Sequence, residues 1–318
     1  MDENKIPYKL VKTNGGLHCH WLNIDNNGFT EPFFDETISR LKLLNNQGQL
    51  SAQISDLPAL EERARNLDLV QPAAIIFHLS RCGSTLTTQL FATSARFTVL
   101  SEVPFFDDLL RLPVKGISRD ENLIATSLIS ALKFYSRKKS DIEEHVIIKT
   151  DSWHIFFYEQ LRQIFPSVPF ILMFRNPDEI LRSLMKIPGS QIVPELVEPE
   201  IFGLPGIPEF YQKETYAASV LEKLLENFIE VGKADERVLL VNYNEGPIPV
   251  INKIAAFANL EITEKELIVM KDRSLFHSKR PTQHFFEEPV KQMPPCIDNA
   301  MGLYKILEGE RRQQDGVK

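Results

Sequence analysis

Cysteine is scarce in this chain. Only Cys19, Cys82 and Cys296 occur in 318 residues, widely spaced and without a C-x-x-C pair. An odd count of scattered thiols builds no disulfide framework, so a reducing, cytoplasmic setting is expected. Long apolar runs are also missing. VPFILMF (168–174) is among the longest, far too short to span a bilayer. The opening MDENKIPYKL is acidic and has no apolar core of the signal-peptide kind, so no signal peptide is expected. Positive charge is not in excess. Thirty-six Lys and Arg stand against 43 Asp and Glu, with a net charge of -7 and a pI near 5.6. That balance argues against a general nucleic-acid partner and confines any anion site to a local pocket. No internal repeat and no low-complexity tract is found.

What is present is globular composition, 43% hydrophobic and 25% charged, with length enough for one large α/β domain or two ordinary ones. Residues 1–70 read as a small β-rich appendage ending in a helix. Their strand-like pieces are broken by Asn-Gly and Gly-Gly, which favour tight hairpin turns. DLPALEERARNL (56–67) is entered at Asp56 with Pro58 in its first turn. In HCHW (18–21), His18 and His20 share one strand face, and two histidines without further ligands make no zinc site. From residue 71 to the end the pattern is that of one larger domain. AAIIFHL, FTVLSE, HVIIKT, VPFILMF and RVLLVNY are short, nearly continuous apolar runs, as in strands of a parallel sheet buried on both faces. Helical stretches lie between them, at 84–94, 121–138, 153–165, 177–187 and 209–233, with another at 248–260. The alternation predicts an α/β fold, a doubly wound and mostly parallel sheet. Residues 186–210 are rich in Pro and Gly and lack periodicity, which suits either a lid or an ordinary surface insertion.

The first apolar strand ends in HLSRCGST (78–85) and leads at once into a helix. In open α/β sheets, ligands lie beyond the carboxyl ends of the strands. Unpaired N–H groups at a helix start suit an anion, phosphate above all. Gly83 permits close backbone approach, and Ser84 and Thr85 offer hydroxyl donors. The segment is not a Walker A loop, because Ser84 stands where GxxxxGK[ST] has its lysine. Arg81, two residues before the glycine, supplies the charge instead, and its planar fork can follow charge that moves onto a leaving phosphate. His78 is expected inside the strand as a satisfied core histidine. A second strand ends at Arg175, followed by Asn176, Pro177 and a helix. Ser183 lies eight residues past Arg175, so both could face the groove beside the first loop.

SRCGST and RNPDEILRS together resemble the sulfotransferase superfamily, whose fold is an α/β sheet with a P-loop-like core. The likeness runs from about residue 73 to 187, and more faintly to 285. It is similar to the tyrosylprotein-sulfotransferase-like and bacterial branch, whose P-R-S-G-T-T-L loop is matched by SRCGSTL. That branch's GEE, K-D-P and LFPxAKFLLMxRD elements are matched in order by SEVPFF, KTDSW and IFPSVPFILMFRN. The resemblance implies PAPS (3′-phosphoadenosine 5′-phosphosulfate) as co-substrate and no metal. It implies that Arg81, Gly83, Ser84 and Thr85, in a loop completed by Ser80 and Cys82, bind the 5′ side. Arg175 and Ser183 would bind the 3′-phosphate. Two departures stand out: Ser80 replaces the loop proline, and of GEE only Glu102 remains.

Sulfuryl transfer requires that an acceptor lose a proton, that the sulfuryl oxygens find donors, and that a cation meet the departing nucleotide. The expected assignments are Arg81 for the leaving group and Glu102 for the base. Lys149 is expected at the sulfuryl group, with His154 as the alternative base in a cluster with Asp151. Trp153 and Tyr158 are read as core or groove lining. By resemblance, Lys279 and Arg280, or Arg273 and Ser274, reach the nucleotide's 3′-phosphate and adenine. The acceptor is left open among small molecules, carbohydrates, lipids and peptides. An atypical nucleotide kinase or phosphotransferase, or a non-catalytic module on the same fold, are the competing expectations.

Overall fold

The computed structural model describes residues 4–25, 27–47, 53–138, 140–206, 212–277, 280–284 and 294–316, without the side chains of 45–47, 277 and 280–284. The chain begins with an antiparallel sheet of β1 (Lys5–Thr13), β2 (Gly16–Asn23) and β3 (Gln53–Asp56), in the order β1-β2-β3. The β1–β2 hairpin closes between Thr13 and Gly16 over Asn14 and Gly15, with Gly16 at φ 115°. α1 (Phe34–Gln47) lies between β2 and β3, and α2 (Leu57–Ala64) follows β3. The α2 start has the predicted chemistry: the Asp56 carboxylate accepts from Ala59 N–H. Along β2, buried Cys19 and Trp21 alternate with the half-buried His18 and His20, so the histidines lie on the less buried face.

The second sheet is parallel and has five strands. They are β4 (Pro72–His78), β5 (Phe97–Ser101), β6 (His145–Lys149), β7 (Phe170–Phe174) and β8 (Val238–Asn242), in the order β5-β6-β4-β7-β8. Every residue of β7 and of β8 is buried, which is why these runs do not alternate in polarity. The connections carry α3 (Ser84–Phe91), α4 (Pro104–Leu110), α5 (Glu121–Tyr135), α6 (Tyr158–Ile164), α7 (Pro177–Lys186) and α8 (Lys213–Ala234). After β8 come α9 (Pro247–Phe257), α10 (Glu264–Ser274), the short strands β9 (Phe276–His277) and β10 (Arg280–His284), and α11 (Asp298–Gly316).

Right-handed crossovers decide which face each helix covers. The step from β4 to β5 runs one way along the sheet, and every later step to β8 runs the other way. α3 therefore lies on one face, where it packs with α9 and α10, and α4 to α8 lie on the other. The direction reverses at β4, so the loops after β4 and β7 leave the sheet edge side by side on opposite faces. A crevice opens at such a switch point.

The N-terminal sheet sits on α4 and α5. Leu10 N–H donates to Asp108 at 3.0 Å, the Tyr135 hydroxyl donates to the Pro7 carbonyl, and Trp21 meets Phe134 edge-on at 5.0 Å. Its apolar side chains and those of the five-stranded sheet form one continuous core. The aperiodic stretch after α7 is likewise anchored. It makes 3-10 turns at Ser190–Ile192 and Pro199–Phe202. Ile192, Val197, Ile201 and Phe202 are buried, and the Arg111 guanidinium binds the Leu196 carbonyl and Glu198. Among the described residues, no helix is long and apolar enough to cross a membrane.

Candidate active site

The loop after β4 has unusual backbone. Ser80, Arg81 and Gly83 all have left-handed φ, at 61°, 49° and 79°. For the two non-glycine residues that conformation costs on the order of 1 kcal/mol each, and such strain gathers at ligand sites. Gly83 is the N-cap of α3 and provides no side chain to cap it, so the first N–H groups of the helix stay open to a ligand. A Cβ on Gly83 would stand 2.1 Å from the Tyr243 ring, so the close approach requires glycine. Cys82 turns inward: its thiol is buried, donates to the Met173 carbonyl at 3.3 Å, and is pushed up to about 11 by burial. Only its backbone can take part in the loop. Ser84 is buried and Thr85 half-buried at the helix start. The Arg81 guanidinium reaches across to the Ile187 carbonyl, at 2.6 Å, just beyond the end of α7.

Three adjacent strand ends bring the proposed chemistry together. Ser101 pairs with Lys149 across β5 and β6, and Glu102 N–H donates to the Lys149 carbonyl at 2.7 Å. Glu102 then takes a left-handed φ of 54°, which turns its side chain back over the strand ends. The fully buried Lys149 ammonium lies 2.5 Å from Glu102 Oε1 and 3.4 Å from Thr85 Oγ1, and 4.6 Å from the centre of the Phe33 ring. Burial pushes the Glu102 carboxyl up, but the Lys149 charge and the His78 hydrogen bond outweigh it and hold it well below the ordinary glutamate range. Glu102 is therefore a carboxylate at neutral pH.

Asp151 and His154 lie just past β6, in and beside the 3-10 turn Ser152–Phe157. His154 Nε2 is 3.0 Å from Asp107 Oδ1 and 3.6 Å from Asp151 Oδ2. Asp107 is further held by Trp153 Nε1 at 2.6 Å and Arg111 at 2.8 Å. Burial raises the Asp107 carboxyl, and His154 and Arg111 more than reverse this. For Asp151 the counterweight is too small: burial, then the charges of Glu102 and Asp107, push it well above its ordinary value despite the opposing charge of Lys149. Asp107, Asp151 and His154 have ligand-capable atoms within 4.8 Å of one another, although His154 Nε2 is already engaged by Asp107.

Arg175 is buried at the end of β7. It pairs with Glu179 at 2.7 Å, and its guanidinium carbon lies 5.4 Å from the Tyr243 ring centre. Asn176 caps α7 by accepting from Asp178 N–H. Ser183 is half-buried two turns along that helix. Tyr243, from the turn after β8, thus touches both loops: Gly83 on one side and Arg175 on the other. The two loops share this wall.

Three residues in the site were not expected there. Phe33 comes from the N-terminal region, Tyr243 follows β8, and His78 was read only as core. A strand ending in Tyr (RVLLVNY) was the one visible sign of Tyr243. At the end of α10, Arg273 donates to the Phe276 carbonyl at 3.3 Å and Ser274 to the Lys271 carbonyl at 2.7 Å. Lys279 lies outside the described residues, and of Arg280 only the backbone is described. Trp153 and Tyr158 are buried, as lining residues should be, and both hydrogen-bond carboxylates.

No family model and no curated protein sequence matches the chain. Among solved structures it is similar to the sulfotransferase domain from the curacin biosynthetic pathway, at 14% identity and a TM-score of 0.49, covering 76% of this chain and 99% of that one. It is similar to sulfotransferase STF9 from Mycobacterium avium, at 13% identity and 0.47, covering 82% and 81%. Mouse sulfotransferase SULT7A1, complexed with PAP, is similar at 14% identity and 0.40, covering 81% and 90%. At these identities and TM-scores the likeness assigns neither a family nor a chemistry to this chain.

Proposed function

We propose that the chain is a sulfotransferase that takes the sulfuryl group from PAPS and passes it to a hydroxyl or amine acceptor. The observation that carries this reading is the shared Tyr243 wall, which sets the open helix start at Gly83 beside Arg175. Two anion-binding edges across one crevice suit a nucleotide with phosphate at both ends better than a nucleotide with one. The donor set fits such a ligand: the α3 N-terminus with Ser84, Thr85 and Arg81 for the 5′ side, Arg175 and Ser183 for the 3′ side. The carrier, when bound, supplies an activated sulfuryl group and a stable leaving phosphate.

The protein's own residues do the rest. Glu102, ionised at neutral pH, takes the acceptor's proton. Lys149 lies between Glu102 and Thr85, so it can turn its charge from the carboxylate to the developing charge at the helix start, and its departure raises the basicity of Glu102. Arg81 gives its charge to the departing phosphate, exchanging the Ile187 carbonyl for it. His154, oriented by Asp107, is the second candidate base. Phe33, over Lys149, and the exposed Ile187, whose carbonyl holds Arg81, border the strand ends and favour an acceptor with an apolar portion. The three free cysteines suit a reducing, cytoplasmic compartment.

The test is thermal stability of the purified protein with adenosine 3′,5′-bisphosphate, Mg·ATP or AMP. Selective stabilisation by the bisphosphate is expected, by about 2.7 kcal/mol at a hundredfold excess over Kd. Preference for Mg·ATP would favour a phosphotransferase, and indifference to all three would leave a non-catalytic module.

A further inference from the structure

We infer that His78 is a positioning residue that locks the anion loop to the Glu102–Lys149 pair through the two nitrogens of one ring. The inference rests on the sulfotransferase reading for its consequences but not for its geometry. His78 is the last residue of β4 and is 4% exposed. Its Nδ1 accepts the backbone N–H of Ser80 at 3.0 Å. A backbone amide can only donate, so Nδ1 carries no proton and Nε2 must carry it in the neutral ring. Nε2–H then donates to the Thr150 carbonyl at 2.9 Å, with Glu102 Oε1 at 3.4 Å from the same nitrogen.

One side chain therefore ties three strand ends. It holds the left-handed Ser80 that starts the anion loop, the residue following Lys149, and the carboxylate paired with Lys149. Protonation of Nδ1 would break the Ser80 bond, so the device works only with a neutral ring. Burial favours that form and the Lys149 charge reinforces it against Glu102. The other described link from this segment to the Glu102 carboxylate runs from Thr85 through Lys149, at the helix start and not in the left-handed turn.

The two nitrogens can be separated. His78→Asn keeps an acceptor near Nδ1 and removes the Nε2 donor, and His78→Gln keeps a donor near Nε2 and removes the acceptor. The readouts are bisphosphate Kd by calorimetry and the Glu102 carboxyl midpoint by carbon NMR. Around that carboxyl stand Lys149 and Arg81 as cations and Asp35 and Asp151 as carboxyls. A crossed pattern is expected: His78→Asn raises the Glu102 midpoint and leaves Kd nearly unchanged. His78→Gln leaves the midpoint in place and weakens Kd about tenfold. Equal shifts of both readouts in both variants, or none, would overturn the inference. Nitrogen NMR on the wild type tests the geometry even where a variant does not fold. An unprotonated Nδ1 that stays so from about pH 5 to 8 is expected, and a ring that titrates there or carries its proton on Nδ1 sinks the inference. A wild type that ignores the bisphosphate overturns the sulfotransferase reading alone, because the tautomer and the midpoint still report on His78.

Discussion

The ammonium of Lys149 is fully buried and has the carboxylate of Glu102 at 2.5 Å as its counter-charge. The two strand ends are electrostatically matched. Each charge carries a desolvation cost that the field of the other offsets.

Glu102→Gln leaves the Lys149 ammonium buried without its partner. The expected cost is about 3 kcal/mol, the lower end of what breaking a buried pair costs, since Glu102 is not wholly enclosed. Denaturant unfolding at pH 7 measures it. PAPS turnover should fall roughly 10²–10⁴-fold while bisphosphate affinity stays near normal. Normal turnover would transfer the base role to His154.

The same pair sets an acid limit. The folded Glu102 pKa is depressed from its ordinary 4.5, so its stabilisation is fully present above that pH and is lost as pH falls through the folded value. Wild type should lose stability progressively below about pH 4.5, and Glu102→Gln should lose less over that window. Parallel loss in both proteins would assign acid unfolding to other carboxyls.

Asp151 carries the opposite sign. Its folded pKa is raised, so the wild type is least penalised below 3.8 and loses stability as pH rises toward the folded value. Asp151→Asn should therefore be more stable than wild type at neutral pH. The gain should grow by up to about 1.4 kcal/mol per pH unit above pH 4 and vanish at lower pH. Thermal melts from pH 4 to 8 provide the comparison.

Gly83→Ala meets two obstacles, a φ of 79° and the Tyr243 ring. The backbone term is about 1–2 kcal/mol, and the ring contact adds to it. Tyr243→Ala in the same chain should remove the second part only. A double-mutant cycle with no coupling between the positions would mean that the ring yields freely.

Arg175→Ala should weaken adenosine 3′,5′-bisphosphate by about 1.5–3 kcal/mol, the value of a charged hydrogen bond, and AMP hardly at all. Equal weakening of both nucleotides would remove Arg175 from the 3′ side.

Arg111 secures the stretch after α7 through Glu198 and the Leu196 carbonyl. Arg111→Met should loosen that stretch and speed proteolytic cleavage between residues 187 and 206, and it should leave the Asp107–His154 contact intact. Unchanged cleavage would mean that Ile192, Val197 and Phe202 hold the segment unaided.

The amino-acid sequence alone specified the five core strands nearly to their ends, because a strand buried on both faces needs a continuous apolar run. It also specified the helix starts at Ser84 and Pro177, which local turn and cap chemistry dictates. Helices α1, α4, α10 and α11 are not legible in it, since they carry no comparable signal beside the turn-rich and charged segments around them. What the tertiary structure decided was the company each residue keeps. The order β5-β6-β4-β7-β8 is not the chain order; it places Lys149 beside Glu102, 47 positions away, and Gly83 against Tyr243. Periodicity is a property of neighbours along the chain. Strand order is settled by which faces can be buried together, and the charges of Glu102, Lys149 and Asp151 take their values from that burial.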